Sequence, residues 1–296
     1  MKTKECIIEM PSALDSNVND ILTLVNMFKK IENSDFNDII LDFKNTRFFA
    51  SELYMLYHHF VDYLKTKKIT IKGINVKENV DYVMRLSDFS SESVNPKYSS
   101  LIQHKDFTLE LDNNNLDCFD EYLKKEFLPK FVKNENISSI ISSYLSELFV
   151  NARTHGNTHK IKCSGQKYQQ GKLLKFLIVD FGVTIPFNVS NHIIKNKKNY
   201  YENNDAEAIR WASQEGNTTK EKLGGLGLND ISEFIKKFDG KIKIISRNGY
   251  YELNKMKDRI NNYKVQFDGT LIIVELNLEK IEKMIIPQKK NEIFEI

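Results

Sequence analysis

Two hydrophobic periodicities alternate along the first ninety residues, and this alternation constrains the fold more than any other feature of the chain. The runs "DIILDF" and "ITIKGI" are short and rich in β-branched residues, which is typical of buried strands. The stretches "NDILTLVNMFKKIE" and "SELYMLYHHFVDYLKTKK" carry apolar residues at steps of three and four, which predicts helices. Strands that alternate with helices indicate an α/β layer.

A polar stretch, "SSESVNPKYSS", then interrupts all periodicity and is typical of a linker. Beyond it, helical patterns precede a run of neighbouring strands, "KFLIVDF", "KIKIIS" and "GTLIIVELNL", which predicts an α+β sandwich. The 296 residues are therefore divided into a first domain at 1–92, a linker at 93–105, a second domain at 106–278 and a packed or loose tail at 279–296.

Composition argues against several classes of function. Forty-three basic and forty acidic side chains leave a formal charge of +3, too near balance to indicate a nucleic-acid or membrane surface. The three cysteines lack a paired CxxC spacing, so neither a disulfide framework nor a zinc site is indicated. No apolar run approaches the roughly 20 residues of a spanning helix, and the N-terminus lacks the apolar core of a signal peptide. We expect a soluble, cytoplasmic protein.

The stretch "SELFVNARTHG" places three polar side chains on one helical stripe. An α-helix turns about 100° per residue, so positions four apart are offset by only about 40°. Glu147, Asn151 and His155 are spaced in this way among apolar residues. The stripe must therefore face either solvent or a site.

Two further motifs lie downstream. "FLIVDFGVTIP" predicts a buried strand that ends at Asp180, where a carboxylate needs a donor. The donor is either an exocyclic amine of a purine, with Gly182 admitting the ring close to the backbone, or a backbone group in a turn that the aspartate caps. The loop "KLGGLGL" places Gly224, Gly225 and Gly227 directly before a helical pattern, where backbone N–H groups either bind phosphate or simply form a turn.

The order of these motifs resembles the GHKL nucleotide-binding family, which includes gyrase-type ATPases, heat-shock chaperones and histidine kinases. The motifs are Glu-x-x-x-Asn-x-x-x-His, Asp-x-Gly-x-x-Ile-Pro, Gly-Gly-x-Gly-Leu and a strand that begins Gly-Thr. The resemblance covers residues 106–278 and implies a GHKL two-layer sandwich that binds ATP and Mg²⁺. The stretch between Pro186 and Leu223 would form a mobile lid over the nucleotide.

The resemblance also implies roles for individual residues. Asn151 would coordinate Mg²⁺ through its side-chain oxygen, which suits a hard ion, and Glu147 would be the catalytic base, with His155 close to the site. Asp180 would accept from the adenine amine, and Thr270 would assist it through water. The remaining nucleotide contacts would come from Gly182, Ile185, Thr218, Thr219, Gly224, Gly225, Gly227 and Leu228.

Glu147 discriminates between members of the family. Histidine kinases usually carry an amide-type residue at this position, whereas members that hydrolyse ATP or phosphorylate serine carry Glu. A carboxylate can take the proton from the attacking water or hydroxyl, which an amide cannot. The motif is most similar to that of bacterial anti-sigma factors, which are serine kinases of this fold.

The first ninety residues resemble a STAS domain, the fold of the antagonists that such kinases phosphorylate. The similarity rests on a strand, "FASEL" at the start of a helix, a second strand and the pattern V-x-x-V-M-R-L. Ser51 lies where those antagonists carry a phosphorylated serine. It is either a phosphoacceptor or a plain helix N-cap.

These observations predict a regulator that binds Mg-ATP under a lid and either hydrolyses it slowly or transfers the γ-phosphate to a protein serine. We expect a protein partner on the STAS-like domain, and the resemblance allows a homodimer. Two alternatives stay open: a nucleotide-gated binding module without turnover, and a histidine-kinase catalytic domain that acts on another chain.

Overall fold

The N-terminal unit, residues 5–87, consists of parallel strands joined by helices. The computed structural model describes residues 5–87, 101–109, 115–168, 172–195, 204–217 and 228–285. In the N-terminal unit, a three-stranded parallel sheet has the order β1 (Glu5–Glu9), β3 (Asp38–Asp42), β5 (Thr70–Ile74). The other elements are the strand pair β2 (Ala13–Leu14) and β4 (Phe48–Phe49) and the helices α1 (Val18–Glu32), α2 (Ser51–Thr66) and α3 (Glu78–Ser87). Parallel strands require crossover connections, which α1 and α2 supply.

The two crossover helices begin in different ways. The Asn17 side chain caps α1 by accepting from the Asp20 N–H at 3.0 Å. Ala50 is the N-cap of α2 and makes no side-chain cap bond, so the alternative that Ser51 caps the helix is wrong. The Ser51 hydroxyl donates instead to Gln166 Oε1 at 2.9 Å, in the second unit.

The C-terminal unit, residues 101–285, is built on an antiparallel five-stranded sheet. Its order is β6 (Leu101–Thr108), β7 (Lys160–Tyr168), β8 (Leu173–Asp180), β10 (Asp258–Asn277), β9 (Lys241–Asn254). Its α-helices are α4 (Asn115–Glu121), α5 (Glu135–Gly156), α6 (Ile185–Lys195), α7 (Asp205–Ala212), α8 (Leu228–Lys237) and α9 (Leu278–Ile285). A π-helical segment, Tyr122–Phe127, and a 3-10 turn, Leu128–Lys130, follow α4. No helix of the described ranges is both long and apolar enough to cross a membrane.

Both faces of this five-stranded sheet are buried. Side chains alternate along β8, so that Phe176 and Ile178 pack in the core beneath α5 and α8, whereas Leu177 and Val179 join the core of the N-terminal unit. The alternation repeats on β10. The molecule therefore has three layers: one layer of helices, the sheet, and the N-terminal unit.

The structure confirms a mixed α/β chain with parallel and antiparallel sheets. Strand β6 begins at Leu101, inside the predicted linker 93–105, of which residues 93–100 lie outside the described ranges. The predicted tail begins as α9, which buries Ile281 completely. The two-layer sandwich expected for the second domain has its second face covered by the first domain. The continuous apolar runs of β8 and β10 indicate that both faces are buried, because a strand covered on both faces does not alternate between apolar and polar residues.

Buried polar groups hold the N-terminal unit on the sheet. Lys175 Nζ donates to Ser16 Oγ at 2.7 Å, and Lys243 Nζ donates to the Ser16 carbonyl at 3.1 Å and to Glu275 Oε1 at 2.6 Å. All four residues are buried. Because a buried charge without a partner is strongly unfavourable, these bonds restrict the N-terminal unit to one position on the sheet.

Glu52, the second residue of α2, is completely buried in the same interface. The Tyr168 hydroxyl lies 2.9 Å and 3.1 Å from its two carboxylate oxygens and donates to them. Burial raises the pKa of Glu52 above its ordinary value, and Lys175 opposes the shift in part. The protonated carboxyl is therefore favoured by folding.

Replacement of Glu52 by Gln tests this interface. A raised carboxyl pKa contributes stability below the unfolded-state value, and this stability is lost as the pH rises through the folded-state pKa. Glu52→Gln keeps an acceptor for Tyr168 and removes the ionisation, so at pH 8 we expect it to be more stable than wild type by about 1 kcal/mol. The difference should vanish at pH 4. Urea unfolding at both pH values measures it, and lower stability of Glu52→Gln at pH 8 would indicate an ionised Glu52 held by Lys175.

Candidate functional site

Helix α5 carries the polar stripe towards the end of β8, the central strand of the sheet. The helix begins at its N-cap Asn134, whose side chain accepts from the Ile137 N–H at 3.1 Å, and it continues to Gly156. Glu147, Asn151 and His155 all lie on this helix and are partly exposed. The prediction that the three residues lie on one helix is confirmed.

Asp180 is the last residue of β8 and lies against the end of α5. Its side chain is on the helix-layer face of the sheet, in line with Phe176 and Ile178, and it is 3% exposed. A Cβ atom added to Gly156 would lie 2.9 Å from Asp180 Oδ1. The first two sequence motifs therefore meet here, because only a residue without a side chain at the end of α5 leaves room for the carboxyl.

Gly182 permits a second close approach at the same place. A Cβ atom on Gly182 would lie 1.9 Å from the Gly156 carbonyl oxygen, which accepts a hydrogen bond from the Val183 N–H. The neighbour that requires glycine is thus the end of α5, whereas the sequence had suggested a purine ring. Helix α5 ends at Gly156, and the next residue, Asn157, adopts the left-handed conformation at φ 44°.

The Asp180 carboxyl sits in an environment that disfavours its charge. Among the described residues, its side-chain hydrogen bond comes from the Gly182 N–H, at 3.0 Å to Oδ1. Burial raises the pKa of Asp180 to about 7, and the Gly182 N–H opposes this shift only in part. A ligand that donates a further hydrogen bond to the carboxyl would favour its ionised form.

A hydroxyl pair lies beside Asp180 on the next two strands. Thr270 is opposite Asp180 in the β8–β10 register, and Ser246 is opposite Thr270 on β9. The two side-chain oxygens are 3.0 Å apart, and Ser246 Oγ also donates to the Gly269 carbonyl at 2.9 Å and accepts from the Ile185 N–H at 3.0 Å. Sequence reasoning proposed Thr270 and Ile185 but missed Ser246, which is the lone hydroxyl in the apolar run "KIKIIS".

Among its described residues, the predicted lid contains two helices. Helix α6 begins at Ile185, and Asn188 Nδ2 donates to the His155 carbonyl at 2.8 Å, which ties α6 to the end of α5. Helix α7 is held on the β9–β10 hairpin, because Asp205 Oδ2 accepts from the Asn248 N–H at 3.1 Å. The part of the predicted lid formed by α7 is therefore hydrogen-bonded to the β9–β10 hairpin.

The predicted phosphate loop can be compared with the structure at one residue. Leu228 is the first residue of α8 and packs against the core of the helix layer. The remaining predicted contacts lie outside the described residues: Thr218, Thr219, Gly224, Gly225 and Gly227.

A metal ion at this site would have few protein ligands. Across the described residues, no group of three or more His, Cys, Asp or Glu side chains could hold a metal ion. Magnesium bound with a nucleotide keeps several waters and takes one or two protein ligands together with phosphate oxygens. The Asn151 carboxamide on α5 fits a role of this kind.

Ser51, the predicted phosphoacceptor, lies away from this site. It is 1% exposed and is covered by β7 through its bond to Gln166. A phosphate at this position would have to enter the closed interface between the two units.

No protein-family model and no curated protein matches this chain.

Three features define the site. They are the polar stripe of α5, the buried carboxyl at the end of β8 and the hydroxyl pair on β9 and β10.

The glycine at position 182 provides a test of the site's geometry. Gly182→Ala places a methyl group within the contact distance of the Gly156 carbonyl, so either α5 or the end of β8 must move. We expect a loss of about 3 kcal/mol in the free energy of unfolding. The matched control is Gly73→Ala, whose Cβ would lie 3.4 Å from Phe43, an ordinary contact, and which should lose about 1 kcal/mol or less. Urea unfolding measures both losses, and equal losses of unfolding free energy in the two variants would contradict the close approach of Gly182 to the Gly156 carbonyl.

Proposed function

We propose that this chain is an ATP-binding regulator of the GHKL type, which binds Mg-ATP at the end of α5 and β8 and hydrolyses it slowly. The observation that carries the proposal is the placement of Asp180. A buried carboxyl at a strand end, with a raised pKa and one backbone donor within the described ranges, has capacity to accept from an exocyclic amine. The helix that carries Glu147 and Asn151 ends directly against it.

The surroundings of Asp180 suit recognition of adenine. An ionised carboxyl accepts hydrogen bonds only, so it favours a base with an amino group and repels one with a carbonyl at the same position. Thr270 and Ser246 place a pair of hydroxyls on the adjacent strands, and a water bound there could bridge to the base. ATP should therefore bind better than GTP.

The polar stripe supplies the remaining chemistry. Glu147 lies one helical turn before Asn151 and is partly exposed, as a base that receives a proton from water must be. When Mg²⁺ is bound, it neutralises phosphate charge, and the Asn151 oxygen would be its protein ligand. Transfer of a phosphoryl group depends mainly on positioning and charge neutralisation.

The acceptor of the phosphoryl group is proposed to be water. Ser51 is buried in the interface and hydrogen-bonded to Gln166, which makes it a poor acceptor within this chain. Transfer to a serine of a partner protein is the alternative. A binding module without turnover has no need of Glu147.

The first prediction for this site concerns nucleotide binding. Asp180→Asn replaces an acceptor oxygen by an N–H₂ group that faces the adenine amine, and we expect ATP binding in the presence of Mg²⁺ to weaken at least tenfold, or about 1.4 kcal/mol. GTP should bind wild type at least about tenfold more weakly than ATP. Isothermal titration measures both, with Asp258→Asn, an exposed aspartate of β10, as the matched control.

Phosphate release distinguishes the alternatives. Glu147→Gln should bind ATP within about threefold of wild type and release phosphate about 100-fold more slowly. Phosphate release that is absent in wild type despite tight binding would favour the binding module. Wild type that does not bind ATP at all would remove the proposed function.

A further prediction concerns the pH dependence of nucleotide affinity. The pKa of Asp180 is about 7 without ligand, and the adenine amine favours the carboxylate, so below pH 7 a proton must leave before the ligand binds. Affinity for Mg-ADP should therefore rise about tenfold from pH 6 to pH 8. Titration at three pH values measures this rise, and a constant affinity would mean that the nucleotide does not contact the carboxyl.

A further inference from the structure

Phe181 follows the last residue of β8, between Asp180 and Gly182, and faces the other side of the sheet. Asp180 continues the row of side chains beneath the helices, whereas Phe181 continues the row of Leu177 and Val179 and packs against the core of the N-terminal unit. Gly182, the next residue, returns to the end of α5. The backbone that positions Asp180 and Gly182 therefore depends on where Phe181 is held.

The N-terminal unit holds Phe181 through α2. The His59 ring stacks on the Phe181 ring with 3.4 Å between centroids and an angle of 10° between planes. Phe60, the next residue of α2, approaches Phe181 edge-on at 6.5 Å, and Phe267 of β10 lies 5.8 Å away. Phe181 is thus enclosed by side chains of both units, and His59 makes the closest of these ring contacts.

The His59 imidazole acts here as a neutral aromatic ring. Burial and the nearby Lys162 ammonium lower the pKa of His59 to about 3, so the ring carries no charge at neutral pH. A neutral ring stacks on Phe181 without the penalty of a buried charge. The contact is therefore constant across the physiological pH range.

We propose that His59 is a positioning residue for the nucleotide site: by stacking on Phe181 it fixes the end of β8, so that the affinity for ATP depends on how α2 lies on the sheet. This inference rests on the proposed function for its ligand. It makes the N-terminal unit part of the nucleotide site. A partner that binds the N-terminal unit and shifts α2 would change nucleotide affinity, and ATP would in turn change affinity for that partner by the same factor.

The experiment uses the full chain and three variants. His59→Ala removes the stacked ring, and His59→Phe restores an aromatic ring of similar size. His58→Ala is the matched control, because His58 lies on the same helix but its ring faces Tyr54 and His104. Amide hydrogen exchange of residues 178–184 without nucleotide reports the position of the strand end, and titration with Mg-ATP reports affinity.

We expect His59→Ala to raise exchange at residues 180–183 and to weaken ATP binding about fivefold. His59→Phe should restore both to within about twofold, and His58→Ala should leave both unchanged. Bound ATP should slow exchange in α2 of wild type, and this protection should be lost in His59→Ala.

Two results would overturn the proposal. Unchanged exchange at residues 180–183 in His59→Ala would mean that His59 does not position the strand end. Raised exchange with unchanged ATP affinity would mean that the contact only stabilises the fold. If wild type binds no ATP, the proposed function fails separately, and exchange alone then decides whether His59 holds β8.

Discussion

Burial of the five-stranded sheet on both of its faces is the constraint from which the rest of the structure follows. The helix layer covers one face, and the N-terminal unit covers the other with α1 and α2. Three charged residues lie on the face that the N-terminal unit covers: Lys175, Lys243 and Glu275. Their burial would be unfavourable without the bonds of both lysines to Ser16 and the ion pair between Lys243 and Glu275. The N-terminal unit is therefore a structural layer of the molecule.

The same alternation creates the candidate site. At the end of β8, successive residues turn towards opposite layers, so Asp180 meets α5 while Phe181 meets α2. Two glycines, Gly156 and Gly182, allow the backbones of α5 and β8 to approach closely enough to bury the carboxyl. A site made in this way has little freedom to shift, which suits the discrimination between bases proposed for it.

Desolvation dominates the chemistry of two buried carboxyls, those of Glu52 and Asp180. Glu52 in the interface and Asp180 in the site each have a raised pKa, and burial is the larger cause in both cases. Their partners differ in kind. Tyr168 donates to Glu52 from a fixed position, whereas the donor to Asp180 among the described residues is the backbone N–H of Gly182, which leaves the carboxylate able to accept further hydrogen bonds. This difference separates a structural carboxyl from one that is available for binding.

The sequence by itself determined the elements and the spacing of the polar residues. Hydrophobic periodicity located α1, α2 and α5 and the apolar strands, because local burial repeats with the period of the element. Only the tertiary structure decided what lies against these elements. Ser246 accepts from the Ile185 N–H, His59 stacks on Phe181, and Ser51 donates to Gln166. Each of these three pairs joins residues more than 50 positions apart in the chain. Local periodicity reports that a face is buried, but packing between distant segments selects the layer that covers it.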